Sequence, residues 1–119
     1  MARTNFGKII GGFSPLKWNH PVNSEHEYVG DKSRKTFLFS LNLEEKFSLI
    51  KEKYATCHAK NMGPIFGAGS DLEIVDHPNK NKNNYAGIGK SFDYKGKAED
   101  FYGGKKYLIE DYECYEIIL

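Results

Sequence analysis

The run Gly87-Ile88-Gly89-Lys90-Ser91 comes close to a phosphate-binding loop. Such a loop reads Gly-x-x-x-x-Gly-Lys-Ser/Thr, because its backbone N–H groups must wrap the phosphates at short range. The first glycine would fall at position 84, where Asn84 stands, and Phe92-Asp93-Tyr94-Lys95-Gly96 does not read as the helix that has to follow. The run is therefore expected to be a glycine-containing turn between strands. Metal chemistry fares no better. Cys57 and His58 are adjacent, and adjacent side chains of an extended segment point to opposite faces. His26, His77 and Cys114 are scattered without paired-ligand spacing, so buried cysteines and surface histidines are expected. Ser40, Ser70 and Ser91 are the hydroxyls nearest glycine-rich or strand positions, but none lies in a Gly-x-Ser-x-Gly nucleophile elbow. Near the end of the chain stand Glu110, Asp111 and Glu113. Glu110 and Glu113 would face different sides of a regular strand, though a bulge could bring them together. Carboxylates beside lysines on an outer strand are usually solvated pairs; burial and a shifted pKa would mark an acid or base.

Two binding chemistries remain. Phe92-Asp93-Tyr94-Lys95-Gly96-Lys97 and Tyr102-Gly103-Gly104-Lys105-Lys106-Tyr107 interleave rings with lysines, as single-strand nucleic-acid binders do. Acids are interspersed, however, and aromatics on strands are more often core. Direct scavenging of oxidants would need an exposed thiol of low pKa, on Cys57 or Cys114. No catalytic, cofactor-binding or metal-binding residue is assigned.

The elements that must carry these groups read mainly as strands. Residues 6–13 suggest a strand or hairpin arm closing at Gly11-Gly12, and 19–35, with Pro21, Gly30 and several charges, suggests a loop. Residues 36–42 predict a strand with Phe37, Phe39 and Leu41 on one face and Leu38 opposite, covered on both sides. In 42–54, Asn42 could cap a helix with Glu45 three positions on, and Leu43, Phe47, Ile50 and Tyr54 recur at helical spacing; a helix or helical turn is favoured over a short strand at Phe47–Ile50. Residues 54–59 read as extended, 71–75 as a strand and 77–84 as a solvated loop. A strand through 86–94, a turn at Gly96–Asp100 and a closing strand pair at 105–118 complete the pattern. The closing alternation slips between Glu110 and Glu113, which suggests a bulge. Short strands separated by turns argue an all-β or α+β sandwich.

Composition bounds the rest. The chain of 119 residues is one domain or part of one, with 39% hydrophobic residues and eight each of Phe and Tyr, as in a globular protein. A net charge of +1 gives no global field for nucleic acid or an anionic membrane. Apolar stretches fall far short of the roughly 20 residues that cross a bilayer, and the start lacks the apolar core of a secretory signal. Two cysteines are too few for a disulfide framework, so cytosol or nucleus is the expected compartment.

Between these features runs Gly63-Pro64-Ile65-Phe66-Gly67-Ala68-Gly69-Ser70-Asp71-Leu72. Its small residues allow positive φ and close backbone approach, so Phe66 can drop into the core while the chain reverses. Ahead of it stand Phe6-Gly7, Gly11-Gly12-Phe13, Trp18 and Phe37-Leu38-Phe39-Ser40-Leu41; behind it stand Gly89-Lys90-Ser91-Phe92 and Glu113-Cys114-Tyr115. In this order the pieces resemble the TLDc domain, a eukaryotic module, from about residue 6 to the C-terminus. Cys114 replaces the valine usual in the closing element.

The resemblance implies an α+β, mainly β fold, with two antiparallel sheets packed as a sandwich and one or a few short helices. It assigns motif roles to Gly12, Trp18, Phe37, Phe39, Gly63, Pro64, Phe66, Gly67, Gly69 and Tyr115, and makes Asp71, Glu110 and Glu113 the candidate functional acids. TLDc domains usually carry a further N-terminal segment; a single domain spanning 1–119, minimal or lacking that segment, is expected. The implied function is a non-enzymatic protein-interaction module supporting resistance to oxidative stress. Its expected partner is a protein, with the vacuolar proton-pumping ATPase as candidate. The alternatives are a nucleic-acid-binding, transcription-related protein of the oxidative-stress response, and an enzyme or thiol scavenger.

Overall fold

The computed structural model describes residues 1–17, 26–59, 64–68, 71–74, 84–85, 87–104 and 106–115. In chain order the strands are β1 (Ala2–Thr4), β2 (Ile9–Phe13), β3 (His26–Val29), β4 (Phe37–Ser40), β5 (Glu45–Ser48), β6 (Thr56–Ala59), β7 (Ile65–Phe66), β8 (Leu72–Glu73), β9 (Asn84–Tyr85), β10 (Lys106–Tyr107) and β11 (Ile109–Tyr112). A 3-10 turn covers Glu52–Tyr54 and one short helix, α1, covers Ala98–Tyr102. Two antiparallel sheets dominate: five strands in the order β11-β1-β2-β4-β5, and four in the order β3-β6-β7-β8. β9 and β10 pair as a small ribbon.

The sheets meet through one core. Ala2, Ile10, Leu38, Phe47 and Ile109 from the first sheet cluster with Phe66 and Leu72 from the second. Phe92, Phe101, Tyr102 and Tyr107 join them as an aromatic layer, with the Tyr102 and Tyr107 rings stacked at 4.5 Å. At Gly12 of β2 the sheets approach closely: a Cβ there would lie 2.6 Å from the Phe66 ring and 2.9 Å from Leu38. Any side chain would push the layers apart, which accounts for glycine in mid-strand.

Several sequence expectations change. β2 runs through Gly11-Gly12 and pairs with β4 from Ile10↔Ser40 to Phe13↔Phe37. The reversal instead lies at Asn5–Gly7, where Gly7 has φ +78°, and it leads back to β1. The predicted loop over 19–35 contains β3, which pairs with β6; Trp18 and the first part of that loop lie outside the described residues.

The faces of β4 divide as expected, with Phe37 and Phe39 on one and Leu38 on the other, and it is the Leu38 face that turns to the core. Leu38 and Ser40 are buried, Phe37 and Phe39 are half-buried on the outer face, and Leu41 is 52% exposed in the following turn. The outer face is covered by the Phe37 ring packed on Phe13 at 5.4 Å, with the Lys46 ammonium 4.9 Å above it.

No α-helix forms over 42–54; its helical part is the 3-10 turn at Glu52–Tyr54. Residues 41–44 make a turn with Glu44 at φ 55°, and β5 folds back on β4 with Phe47 opposite Leu38. The Asn42 side chain caps nothing; its oxygen accepts the Ile9 N–H at 2.7 Å. Ile50 and Tyr54 stay exposed, so the helical spacing had no apolar surface to serve, and burial of Phe47 against Leu38 prevailed.

Residues 87–94 are not a strand. They form a loop held beside the end of β5 by a bridge between Phe92 and Leu49 and by the Asp93 N–H donating to the Ser48 carbonyl. The turn predicted at Gly96–Asp100 contains the start of α1, ended by Gly103 in the left-handed region at φ +97°. β10 and β11 do not pair with each other: β10 joins β9 and β11 joins β1. The bulge is present, since Thr4 pairs with Ile109 and Arg3 with Asp111, leaving Glu110 as the extra residue.

Candidate functional site

Asp71 lies just ahead of β8 and has no exposed surface. Its side chain reaches across to the loop after β9. There Oδ2 accepts the backbone N–H groups of Gly89 (3.0 Å), Lys90 (2.9 Å), Ser91 (3.0 Å) and Phe92 (3.2 Å), and Oδ1 accepts Ser91 N–H at 3.2 Å. Four successive N–H groups converging on one anion are what a phosphate-binding loop uses. Here the anion is a carboxylate of the same chain. The likeness of Gly87–Ser91 to such a loop thus has a physical basis, and the expected turn between strands is a cradle.

The two glycine-rich motifs supply the space. Gly67 has φ +84°, and a Cβ on it would lie 2.2 Å from Asp71 Oδ1. Gly89 has φ +98°, and a Cβ on it would lie 2.7 Å from the Tyr94 carbonyl oxygen. Both positions require glycine for conformation and for contact.

The network extends to both sheets. The Ser91 hydroxyl accepts the Ala68 N–H at 3.0 Å, and the Ser91 carbonyl accepts the N–H groups of Ile50 (2.9 Å) and Lys51 (3.2 Å). Asp93 N–H donates to the Ser48 carbonyl at 2.8 Å. The Tyr102 hydroxyl donates to the Asp71 carbonyl, while the Tyr102 carbonyl accepts the Thr4 hydroxyl at 2.8 Å. One buried polar belt therefore ties β1, α1, the Asp71 loop, the 89–92 loop and the end of β5.

Burial raises the Asp71 pKa above the usual carboxylate value, with the four N–H groups pulling the other way. Burial likewise pushes the Tyr102 phenol far up, reinforced by Tyr107 and Asp71. A buried carboxylate committed to four backbone donors is suited to holding loops in place, since a substrate would have to displace those donors to reach it.

Glu110 and Glu113 lie elsewhere. Both are exposed, Glu110 as the bulge residue of β11, 3.9 Å from Arg3, and Glu113 just beyond it, accepting the Tyr115 hydroxyl. Neither is among the hydrogen-bond partners of Asp71, which are the backbone N–H groups of Gly89, Lys90, Ser91 and Phe92. Among the motif residues, Pro64 is half-buried and its carbonyl accepts the Ile74 N–H at 3.0 Å. Tyr115 is 72% exposed. Gly63, Gly69 and Trp18 lie outside the described residues.

The cysteines and histidines depart from expectation in one respect each. Cys57 is buried but Cys114 is exposed. His58 is buried on β6, an inner strand of its sheet, 3.2 Å from the Thr56 hydroxyl. Burial raises the Cys57 thiol pKa. Among the described residues no three His, Cys, Asp or Glu side chains are grouped to hold a metal, and no helix is long and apolar enough to cross a membrane.

Sequence reasoning named Asp71 but missed its partners Ser91 and Tyr102. The signal for Ser91 was present in the Gly-Lys-Ser run; what sequence lacked was the identity of the anion.

A family model of the TLDc domain matches residues 1–118, essentially the whole chain. No curated protein and no solved structure matches it.

Proposed function

The chain belongs to the TLDc domain family, and we propose that it acts as a non-enzymatic protein-interaction module supporting resistance to oxidative stress, with the vacuolar proton-pumping ATPase as its partner. The family is associated with that resistance. The observation that carries the non-enzymatic reading is the Asp71 cradle: the acid at the heart of the most specific motif is buried and engaged by four backbone N–H groups. Such a carboxylate is committed to organising two loops, which leaves the outer surface of the chain for a partner. Cys57 weighs against thiol scavenging, because burial disfavours the reactive thiolate.

The test is capture from a lysate on the immobilised chain, read by mass spectrometry with and without nuclease, beside a peroxide-sensitivity assay in cells lacking the protein. Nuclease-resistant enrichment of proton-pump subunits, with peroxide resistance restored by a Cys57→Ser, Cys114→Ser double variant, is the expected result. Recovery of nucleic acid alone, or loss of protection in the double variant, would overturn the reading in favour of a nucleic-acid binder or a thiol scavenger.

A further inference from the structure

β11 ends the five-stranded sheet, and among the described residues it is paired on one side only, with β1. The ladder fixes which backbone groups face outward. Glu113 and Met1 exchange both of their hydrogen bonds, each at 2.8 Å. In an antiparallel pair such residues alternate with ones whose N–H and C=O point away from the partner. Tyr112, opposite Ala2, is of that second kind, so its N–H and C=O are aimed at the open edge.

The side chains beside it are equally ordered. Arg3 lies opposite Asp111 and Ile9 opposite Arg3, on the face away from buried Ala2 and Thr4. Asp111 and Glu113 share that outer face and, with Met1, Ala2, Arg3, Ile9 and Tyr112, line a groove of about 180 Å³. Glu110, Asp111 and Glu113 outnumber the cations at this edge, Arg3, which pairs with Glu110, and the Met1 ammonium, and Tyr112 is 46% exposed.

The geometry points to β11 as a docking edge for an extended basic segment of a partner protein, which adds a strand antiparallel to Tyr112. Strand addition draws affinity from main-chain hydrogen bonds and specificity from side-chain pockets at alternate positions. A partner residue paired with Tyr112 places its two neighbours on the outer face beside Asp111 and Glu113, so basic residues two apart fit. A second copy of this chain does not. Antiparallel pairing of two β11 strands about Tyr112 sets Asp111 against Glu113 twice, and like charges directly opposite are destabilising. This assignment rests on the interaction-module reading and locates its surface.

The test uses a fluorescein-labelled peptide with lysines at alternate positions between threonines and valines, titrated into the full chain and followed by anisotropy. Controls are a peptide of the same composition with adjacent lysines, and one with glutamates in place of lysines. The alternating peptide should bind at least about tenfold more tightly than either control, weaken with salt, and protect the Tyr112 amide from hydrogen exchange. Tyr112→Pro removes the outward N–H and the ring without touching a hydrogen bond to β1 and should weaken binding about tenfold or more, while Tyr112→Ala, which loses the ring but keeps the N–H, retains it. Asp111→Asn with Glu113→Gln should remove the preference for alternating lysines. Absence of binding by the wild type, equal binding of both lysine arrangements, or full binding by a Tyr112→Pro chain that melts like the wild type would overturn the assignment. Proton-pump capture separates the two proposals. Capture by Tyr112→Pro at the wild-type level sinks the edge and leaves the module reading standing. Absence of capture by the wild type sinks the module reading, whatever the peptide does.

Discussion

Replacing Asp71 with alanine strips the acceptor from four backbone N–H groups at once. Two of them belong to Ser91 and Phe92, which have no exposed surface, and a stranded buried N–H costs about 1–3 kcal/mol. Gly89 and Lys90 are nearer the surface and can turn to water. The expected loss is therefore about 4 kcal/mol, a large share of the roughly 5–15 kcal/mol that holds a domain together. For a chain of this length it corresponds to a fall in Tm of about 15 °C. Asp71→Asn keeps one carbonyl oxygen and the side-chain volume but turns an NH2 toward donors, so it should lose about half as much. Circular dichroism melts give the Tm values, and hydrogen exchange gives the local reading. The Ser91 and Phe92 amides, slow in the wild type, should exchange in the variant well before global unfolding. If Asp71→Ala melts within about 3 °C of the wild type, with those amides still protected, the carboxylate is not what organises the 89–92 loop.

Three further outcomes follow from the same reasoning. Gly67→Ala combines left-handed backbone with a Cβ 2.2 Å from Asp71 Oδ1; it should destabilise by about 2–4 kcal/mol in urea unfolding, and a loss under about 0.5 kcal/mol would refute that contact. For Asp31, burial works upward, but hydrogen bonds from the hydroxyl and N–H groups of Ser33 and Thr36 outweigh it and hold the carboxyl at about 2, below its ordinary 3.8. Its contribution is thus complete above the unfolded value and lost as pH falls through the window from about 4 to about 2, on the order of 2 kcal/mol; Asp31→Asn should flatten the stability curve there, and an unchanged slope would refute the assignment. Cys114 should react with a thiol reagent in the folded chain and Cys57 only after unfolding; equal rates in the native state would contradict the burial of Cys57.

The mainly β architecture was legible because short apolar segments separated by turn residues leave few other solutions, and the bulge at Glu110 followed from the slip in alternation alone. Family membership was legible from motif order, since Gly-Pro-x-Phe-Gly-x-Gly-x-Asp carries its glycines where conformation demands them. The burial of Phe66 was also fixed locally, by small residues that let it turn inward. Other features depended on partners distant in sequence. Residues 42–54 carry a helical spacing as good as their strand pattern, and only Leu38, waiting across the hairpin, decided for β5. Which face of β4 is buried could not be read from a segment apolar on both faces; Phe66, packed on Gly12 and Leu38 from the other sheet, settled it. The same holds for the site. A Gly-Lys-Ser run announces that backbone donors will gather around an anion, yet nothing local says whether that anion is a phosphate or Asp71, nearly 20 residues earlier in the chain. Sequence determines what a segment is able to do because conformational preference and polarity act over a few residues. Tertiary structure decides which of those abilities is used, because burial and hydrogen-bond satisfaction depend on groups that only folding brings together.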